Sequence, residues 1–349
     1  MKIIKWKYLT VYITPLVVIF SLLKTNYWSY FALFFIFMII PLLELFTNKN
    51  DYNLSKIEEE IAAKDSLYDW VLYGLVPLQY GILIFFLFQV SSDNYDTATK
   101  IGWTTAYGIA CGVLGINAAH ELGHRNTNKE RTMSKMLLLT SLYMHFYIEH
   151  NRGHHQNVAT NEDPASSKYG ETVYAFYIRS IFKGWLSAWR LEANRLKIVK
   201  KSFWSSQNQM LGFQIVQLLL LLLIFGIFGL STMVYFLAGA FIGILLLETV
   251  NYIEHYGLRR NKKGERYERT LPIHSWNSNH PIGRLLLLEL SRHSDHHYIA
   301  SRKYQLLRHH EESPQMPTGY PGMMLLSFVP PLWFYIMHDQ LQKFTRRTE

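Results

Sequence analysis

Apolar residues in this chain gather into long uninterrupted blocks, and the stretches between them hold most of the Lys, Arg, Asp and His. A soluble protein spreads its apolar residues through amphipathic periods, so the clustering predicts membrane-spanning helices. Blocks at 8–23 and 27–46 form a first hairpin, with Lys24 and Asn26 at the turn. Blocks within 69–91 and 101–119 form a second, and a third runs over 210–250 with its turn at Gly229 to Ser231. Each approaches the length of about 20 residues that a hydrocarbon core requires. The expected fold is all-α: one membrane-embedded domain over 1–349 with six transmembrane helices and a helical cap. The hairpins cover 8–46, 69–119 and 210–250, and the cap is built from 47–68, 120–207 and 251–349.

Within the cap, the charged segment 50–66 reads as a surface helix, and the apolar stretches 133–148 and 323–337 read as partly buried helices, with five or seven spans as the alternative count because both are apolar enough to lie in or on the membrane. The basic start followed by an apolar run resembles a signal peptide. The run lacks a small-residue cleavage site and leads at once into another span, so it is read as retained. Lys2, Lys5 and Lys7 at the N-terminus and the basic linker 120–207 place both on the cytoplasmic side of an inner membrane.

The net charge of +9 lies mainly in the linkers, which fits membrane topology better than nucleic-acid binding. Cys111 is the single cysteine, which excludes an internal disulfide, a cysteine zinc site and an iron–sulfur cluster. A redox centre in this chain must use other ligands.

Histidine supplies them. Of fifteen, nine fall in four groups: His120 and His124; His150, His154 and His155; His255; and His293, His296 and His297. Spacings of three and four put imidazoles on one helical face, as a shared metal requires. Nine donors are too many for one ion and suit two, with Fe, Cu, Zn or Ni all compatible with imidazole. Glu121, Glu149, Glu254 and Asp295 stand beside them, placed to accept hydrogen bonds from ligand rings or to ligate directly. His145, His274, His280, His309, His310 and His338 stand apart, and ordinary packing is their simpler reading. His274 and His280, in HSWNSNH, are the best placed of these for an outer or gating role. HELGH also matches the H-E-x-x-H pattern of zinc proteases, with Glu121 as general base. A protease uses about three protein ligands and leaves the other histidines without a task. A metal transporter would string its histidines through the spans, whereas here they gather at one end.

HELGHR at 120–125, EHNRGHH at 149–155, NYIEHYGL at 251–258, HSWNSNH at 274–280 and RHSDHH at 292–297 together closely resemble the bacterial membrane alkane 1-monooxygenases, relatives of xylene monooxygenase and the membrane fatty-acid desaturases. PLLELF at 41–46, NEDPASS at 161–167 and PTGYPG at 317–322 extend the likeness over most of the chain, with Glu44 where the family usually has Asp. The resemblance implies six transmembrane helices and nine histidines holding two irons at the cytoplasmic side. It also implies O2-dependent hydroxylation of a terminal methyl, with electrons from rubredoxin and its reductase. A rubredoxin iron needs four cysteines, so the donor is expected to be a separate chain. Fatty-acyl or alkyl-aromatic hydroxylation or desaturation is the alternative within the superfamily. Phe35 and Ile36, with Phe34 and Phe37 beside them in the second span, are candidate walls of a substrate channel.

Overall fold

The computed structural model describes residues 5–348, so Lys2 of the basic N-terminus lies outside the described residues. Among the described residues, four helices have the length and apolar composition to cross a membrane: Lys5–Leu23, Asn26–Leu45, Leu67–Ser91 and Gln209–His255. The last, 47 residues long, would measure about 70 Å if straight, more than twice a hydrocarbon core. It is broken at Gly229, whose φ of 79° and ψ of 177° reverse the chain where a side chain would be strained. Two helices therefore meet there, at the turn expected from the sequence.

A further helix over 97–123 is not among the four, because Thr, Lys100, Asn117 and His120 dilute its apolar residues. It is buried over most of its length, and a helix enclosed by protein need not be greasy all round. Small residues let it approach the second half of Gln209–His255. Gly108 and Gly112 face Gly239 and Gly243, so that a Cβ on Gly108 would meet Ile242 and one on Gly243 would meet the Cys111 Cβ. Two glycines four apart on each helix allow backbones in lipid to pack at close range.

The polar segment after the first hairpin forms the helix Lys56–Lys64, started by Ser55, which accepts from the Glu58 N–H while the Glu58 side chain returns to the Ser55 N–H. The stretch 133–148 is helical as Asn128–Leu139 and again from Phe146, with a turn between, and 323–337 divides into Tyr320–Ser327 and Pro330–Thr348; the long helix Val173–Ile198 is not among those expected from the sequence. Strand structure among the described residues is confined to the short antiparallel pair Lys262–Lys263 and Arg266–Tyr267.

The N-terminal helices are tied into the cap by buried polar contacts. The Tyr8 hydroxyl donates to Glu289 at 3.0 Å, and Glu289 also pairs with Arg284 at 2.7 Å. Glu44, from PLLELF, accepts from the Gly283 N–H at 2.8 Å and lies against Gly319 of PTGYPG. The two motifs therefore meet, although 270 residues of sequence separate them.

Gly243→Ala is expected to destabilise the protein by about 1–3 kcal/mol through overpacking against Cys111. Gly212→Ala, with nothing within 4 Å of its added Cβ, should melt at or slightly above the parent temperature. Thermal unfolding in detergent checks both; equal melting of the two variants would show that the glycine contact is not tight.

Candidate metal centre

The nine clustered histidines come together at the ends of these helices, in two groups. His120, His124, His150, His155 and His296 form one; His154, His255, His293 and His297 form the other. Within each group the candidate ligand atoms lie within 4.8 Å of one another. Seven of the nine are buried, and His124 and His155 are partly exposed.

The grouping departs from the expected helical faces. His150 and His155, five apart, share a group, while His154 belongs with His255. The cause is local winding: His150–His154 is a wide turn with hydrogen bonds from residue i to i+5, so positions five apart come into line. On the short helix His293–Tyr298, His293 and His297 stay together at the regular spacing of four, and His296 turns to the first group. The single segments 150–155 and 293–297 thus serve both groups.

The ring nitrogens face one another at separations that hydrogen bonds alone cannot satisfy. His150 Nε2 lies 3.1 Å from both His124 Nε2 and His155 Nε2, and His155 Nε2 lies 3.0 Å from His296 Nε2. In the other group His297 Nε2 lies 2.9 Å from His293 Nε2 and 3.1 Å from His154 Nε2, and His293 Nε2 lies 3.2 Å from His255 Nε2. A ring nitrogen that carries a hydrogen cannot also accept, so a run of four facing nitrogens holds too few hydrogens to make all three of its contacts hydrogen bonds. His120 Nε2 is buried with no partner at all. Bonds of about 2.1 Å meeting near a right angle put two nitrogens about 3 Å apart, so a cation inside each group resolves the conflict. Burial, with neighbouring imidazoles adding to it, holds His150, His293, His296 and His297 well below the ordinary imidazole range. They are therefore neutral at pH 7, the state a metal binds.

The surrounding acids divide by what they touch. Glu254 Oε2 lies 3.1 Å from His293 Nε2, and its other oxygen accepts from the Tyr320 hydroxyl at 2.7 Å. Glu121 pairs with Arg125 at 2.8 Å and accepts from the Tyr304 N–H, an arrangement unlike that of a free general base. Asp295 accepts from Arg302, the Arg308 N–H and His310 rather than from one of the nine. Glu149 Oε1 is buried without a partner. His274 accepts from the Leu271 N–H and approaches Glu268 at 3.4 Å, and its backbone hydrogen-bonds His255.

One acid was not singled out from the sequence. Asp163, in NEDPASS, lies 2.9 Å from His154 Nδ1, and both are buried. Burial alone would raise its carboxyl, but the His154 ring and the Ser166 hydroxyl hold it below its ordinary range. An anion there fixes the His154 tautomer with Nε2 directed at its group. Its position in a recurring motif was the available signal. HSWNSNH acts mainly as a staple: the Trp276 N–H donates to the Glu254 carbonyl at 2.8 Å, and Asn277 bonds Ser294 through N–H and hydroxyl at 2.8 and 2.7 Å. It joins the helix carrying His255 to the helix carrying His293.

An apolar cavity of about 60 Å³ reaches the first group at His120 and His150. Ile36 and Phe37 of the second span, Val113, Leu246 and Met324 are among its walls, and Phe35 is not. Phe35–Ile39 and Ala110–Ile116 are both wide turns, so two of the helices that line the cavity depart from α geometry beside it.

The family model described as "Fatty acid desaturase" matches residues 98–327. The chain is 40% identical to an alkane 1-monooxygenase of Acinetobacter baylyi over 305 residues, which is 87% of this chain and 74% of that protein. It is 38% identical to alkane 1-monooxygenase 2 of Pseudomonas aeruginosa, covering 91% and 85%. A xylene/toluene monooxygenase hydroxylase component of Pseudomonas putida is 28% identical, covering 77% and 72%.

Asp163→Asn should weaken metal binding by about 10–100-fold while leaving the fold intact. Competition against a chelator measures this; parental affinity in the variant would remove Asp163 from any supporting role.

Proposed function

The chain belongs to the alkane 1-monooxygenases of the membrane desaturase family, and from that premise we propose how its residues carry out terminal hydroxylation of a medium- or long-chain alkane. The nine histidines hold two iron ions, five imidazoles around one and four around the other. Imidazole donors, the absence of thiolate and the facing ring nitrogens all suit this assignment. Bound iron would supply the reductive activation of O2. We read six spans, counting the enclosed helix over 97–123 and both halves of Gln209–His255, with the centre at the cytoplasmic face of an inner membrane.

The observation that carries the substrate reading is the apolar cavity ending at His120 and His150. A hydrocarbon offers no polar handle, so its terminal methyl can be selected only by the shape of a closed-ended channel. The walls contain no Lys or Arg, so a fatty acid would find no cation for its carboxylate there. This favours a hydrocarbon over a free acid. Polar wall residues, Asn117, Asn251 and Glu254, accompany the histidines, while leucines and isoleucines line much of the remainder.

The proposed electron donor is a separate rubredoxin fed by its reductase. The excess of Lys and Arg favours encounter with an acidic carrier.

Membranes supplied with an alkane, O2, NADH, rubredoxin and its reductase should form the 1-alkanol, and the purified chain should contain about two irons. One zinc and no alkanol would overturn the assignment. His124→Ala and His296→Ala are each expected to abolish hydroxylation in a chain that still inserts into the membrane, and full activity in either would release that residue. Ile36→Trp fills the cavity and should shorten the longest alkane accepted. An unchanged product profile would place Ile36 outside the substrate path.

A further inference from the structure

A second, smaller cavity adjoins the centre at His150 and shares Phe146 and Asn251 with the apolar one. Its remaining walls are of different chemistry: Tyr143, His145, Glu149, Ser180 and Glu248 take part. It has room for about one water molecule. Glu248 is 3% exposed, and it accepts from the Tyr143 hydroxyl at 2.8 Å and from Asn251 Nδ2 at 3.5 Å. The Ser180 side chain bonds it as well. Glu149, one oxygen of which is buried without a partner, lines the same cavity.

Tyr143 and His145, with ring centres 4.3 Å apart, also line a wider, mainly apolar groove whose other polar members are Tyr177, Gln214 and Gln217 and whose walls include Ile178, Phe182 and Phe241. Amides and amphipathic aromatics of this kind suit a membrane–water boundary. Polar groups therefore continue from that groove, through Tyr143 and Glu248, to the cavity beside His150. Leu142 has φ of 54°, which a leucine rarely adopts, and Gln217 accepts from the Met144 N–H at 3.1 Å. The turn that aims Tyr143 inward is thus held at some conformational cost.

Hydroxylation needs this kind of path. R–CH3 + O2 + 2 e⁻ + 2 H⁺ gives R–CH2OH + H2O; the electrons come from an external one-electron carrier protein and the protons from solvent. In the apolar cavity Asn117, Asn251 and Glu254 accompany the histidines, and the remaining walls are hydrocarbon and carry no chain of donors and acceptors to bring protons along it. A buried carboxyl such as Glu248 is costly in this setting unless it is used. Leucine or alanine would fill its volume without that cost.

We propose that the small cavity is the proton entrance of the enzyme: Tyr143 and Glu248 pass protons from the outer groove to a water beside His150, from which they reach the oxygen released as water. The inference rests on the monooxygenase reading. Glu248 gives its proton to the cavity water and regains one through the Tyr143 hydroxyl. Burial keeps His145 down to about 4, so its neutral ring can accept on one nitrogen and donate from the other. Groups facing Glu248 are Tyr143 and His145 from one side, Glu149 from the helix bearing His150, Tyr177 and Ser180 from Val173–Ile198, and Asn251 on its own helix. Asp163 is near enough to act electrostatically on Glu149, and His154 on Glu248.

The test uses the full iron-loaded chain in detergent with rubredoxin, reductase, NADH and octane. Glu248→Gln keeps the size and hydrogen bonds of the side chain but carries no proton; Tyr143→Phe removes the hydroxyl that serves it. Both should retain parental iron per chain and alkane KM. Octanol formation should fall on the order of tenfold or more, with NADH oxidation diverted to hydrogen peroxide and a larger D2O isotope effect on octanol formation. Glu248→Asp should recover part of the loss. Parental coupling and isotope effect in both variants would overturn the relay while leaving the monooxygenase reading intact. Loss of iron from Glu248→Gln would also overturn it, by showing that the carboxyl supports the centre. A parent that makes no octanol would sink both readings together.

Discussion

Two knots of imidazoles, each with ring nitrogens about 3 Å apart and turned toward one another, are the arrangement on which the rest of this protein depends. Without a cation they repel, and without support they would rotate away to find hydrogen bonds. The support is visible in the surrounding structure. Asp163 holds His154 through its outer nitrogen, Asn277 fixes the start of the helix bearing His293, and Trp276 ties that region to the end of the helix bearing His255. Farther out, Gly108, Gly112, Gly239 and Gly243 bring together the helices that deliver His120 and His255. Rigid delivery matters because small errors in ligand position cost both metal affinity and reactivity.

Much of this was legible in the sequence because membrane helices and metal ligands are both written as spacing. Apolar blocks gave the hairpins, including the reversal at Gly229, and dense histidine groups gave the candidate centre. What spacing could not give was the partition of ligands. A regular helix aligns residues four apart, and on that rule His150 belongs with His154; the wide turn at His150–His154 moves His155 into that place instead. Such turns have no simple residue signature, so the error follows from the assumption of ideal geometry. Asp163 escaped for another reason. Its role depends on a contact across a loop with His154, and nothing in a Glu-Asp-Pro sequence marks one acid as buried.

The second-layer acids teach the same lesson in the other direction. Proximity in sequence suggested that Glu121 and Asp295 assist the neighbouring histidines, yet their oxygens meet Arg125, Arg302 and His310. A residue next to a ligand on a helix points about 100° away from it, so adjacency argues against contact as often as for it. Glu254 reaches a ring, but it is His293 from a distant segment rather than its neighbour His255.

The position of the centre at helix ends, rather than in mid-span, follows from the reaction's conflicting needs. A hydrocarbon must arrive through apolar space, whereas electrons and protons must arrive from the aqueous side. A site deep in the bilayer would satisfy the first need and obstruct the others, and a site on the surface would expose the reacting carbon to water. At the ends of the spans both media are within one side chain. His150 illustrates this, since it borders the apolar cavity walled by Ile36 and Leu246 and also the polar one walled by Glu248 and Tyr143. Phe146, which stacks on the His150 ring at 4.8 Å, and Asn251 line both cavities, so the two share part of their wall. The selectivity of the site therefore depends as much on the division between apolar and polar space as on the ligands, because a single open cavity would admit water to the place where the alkane must be held dry.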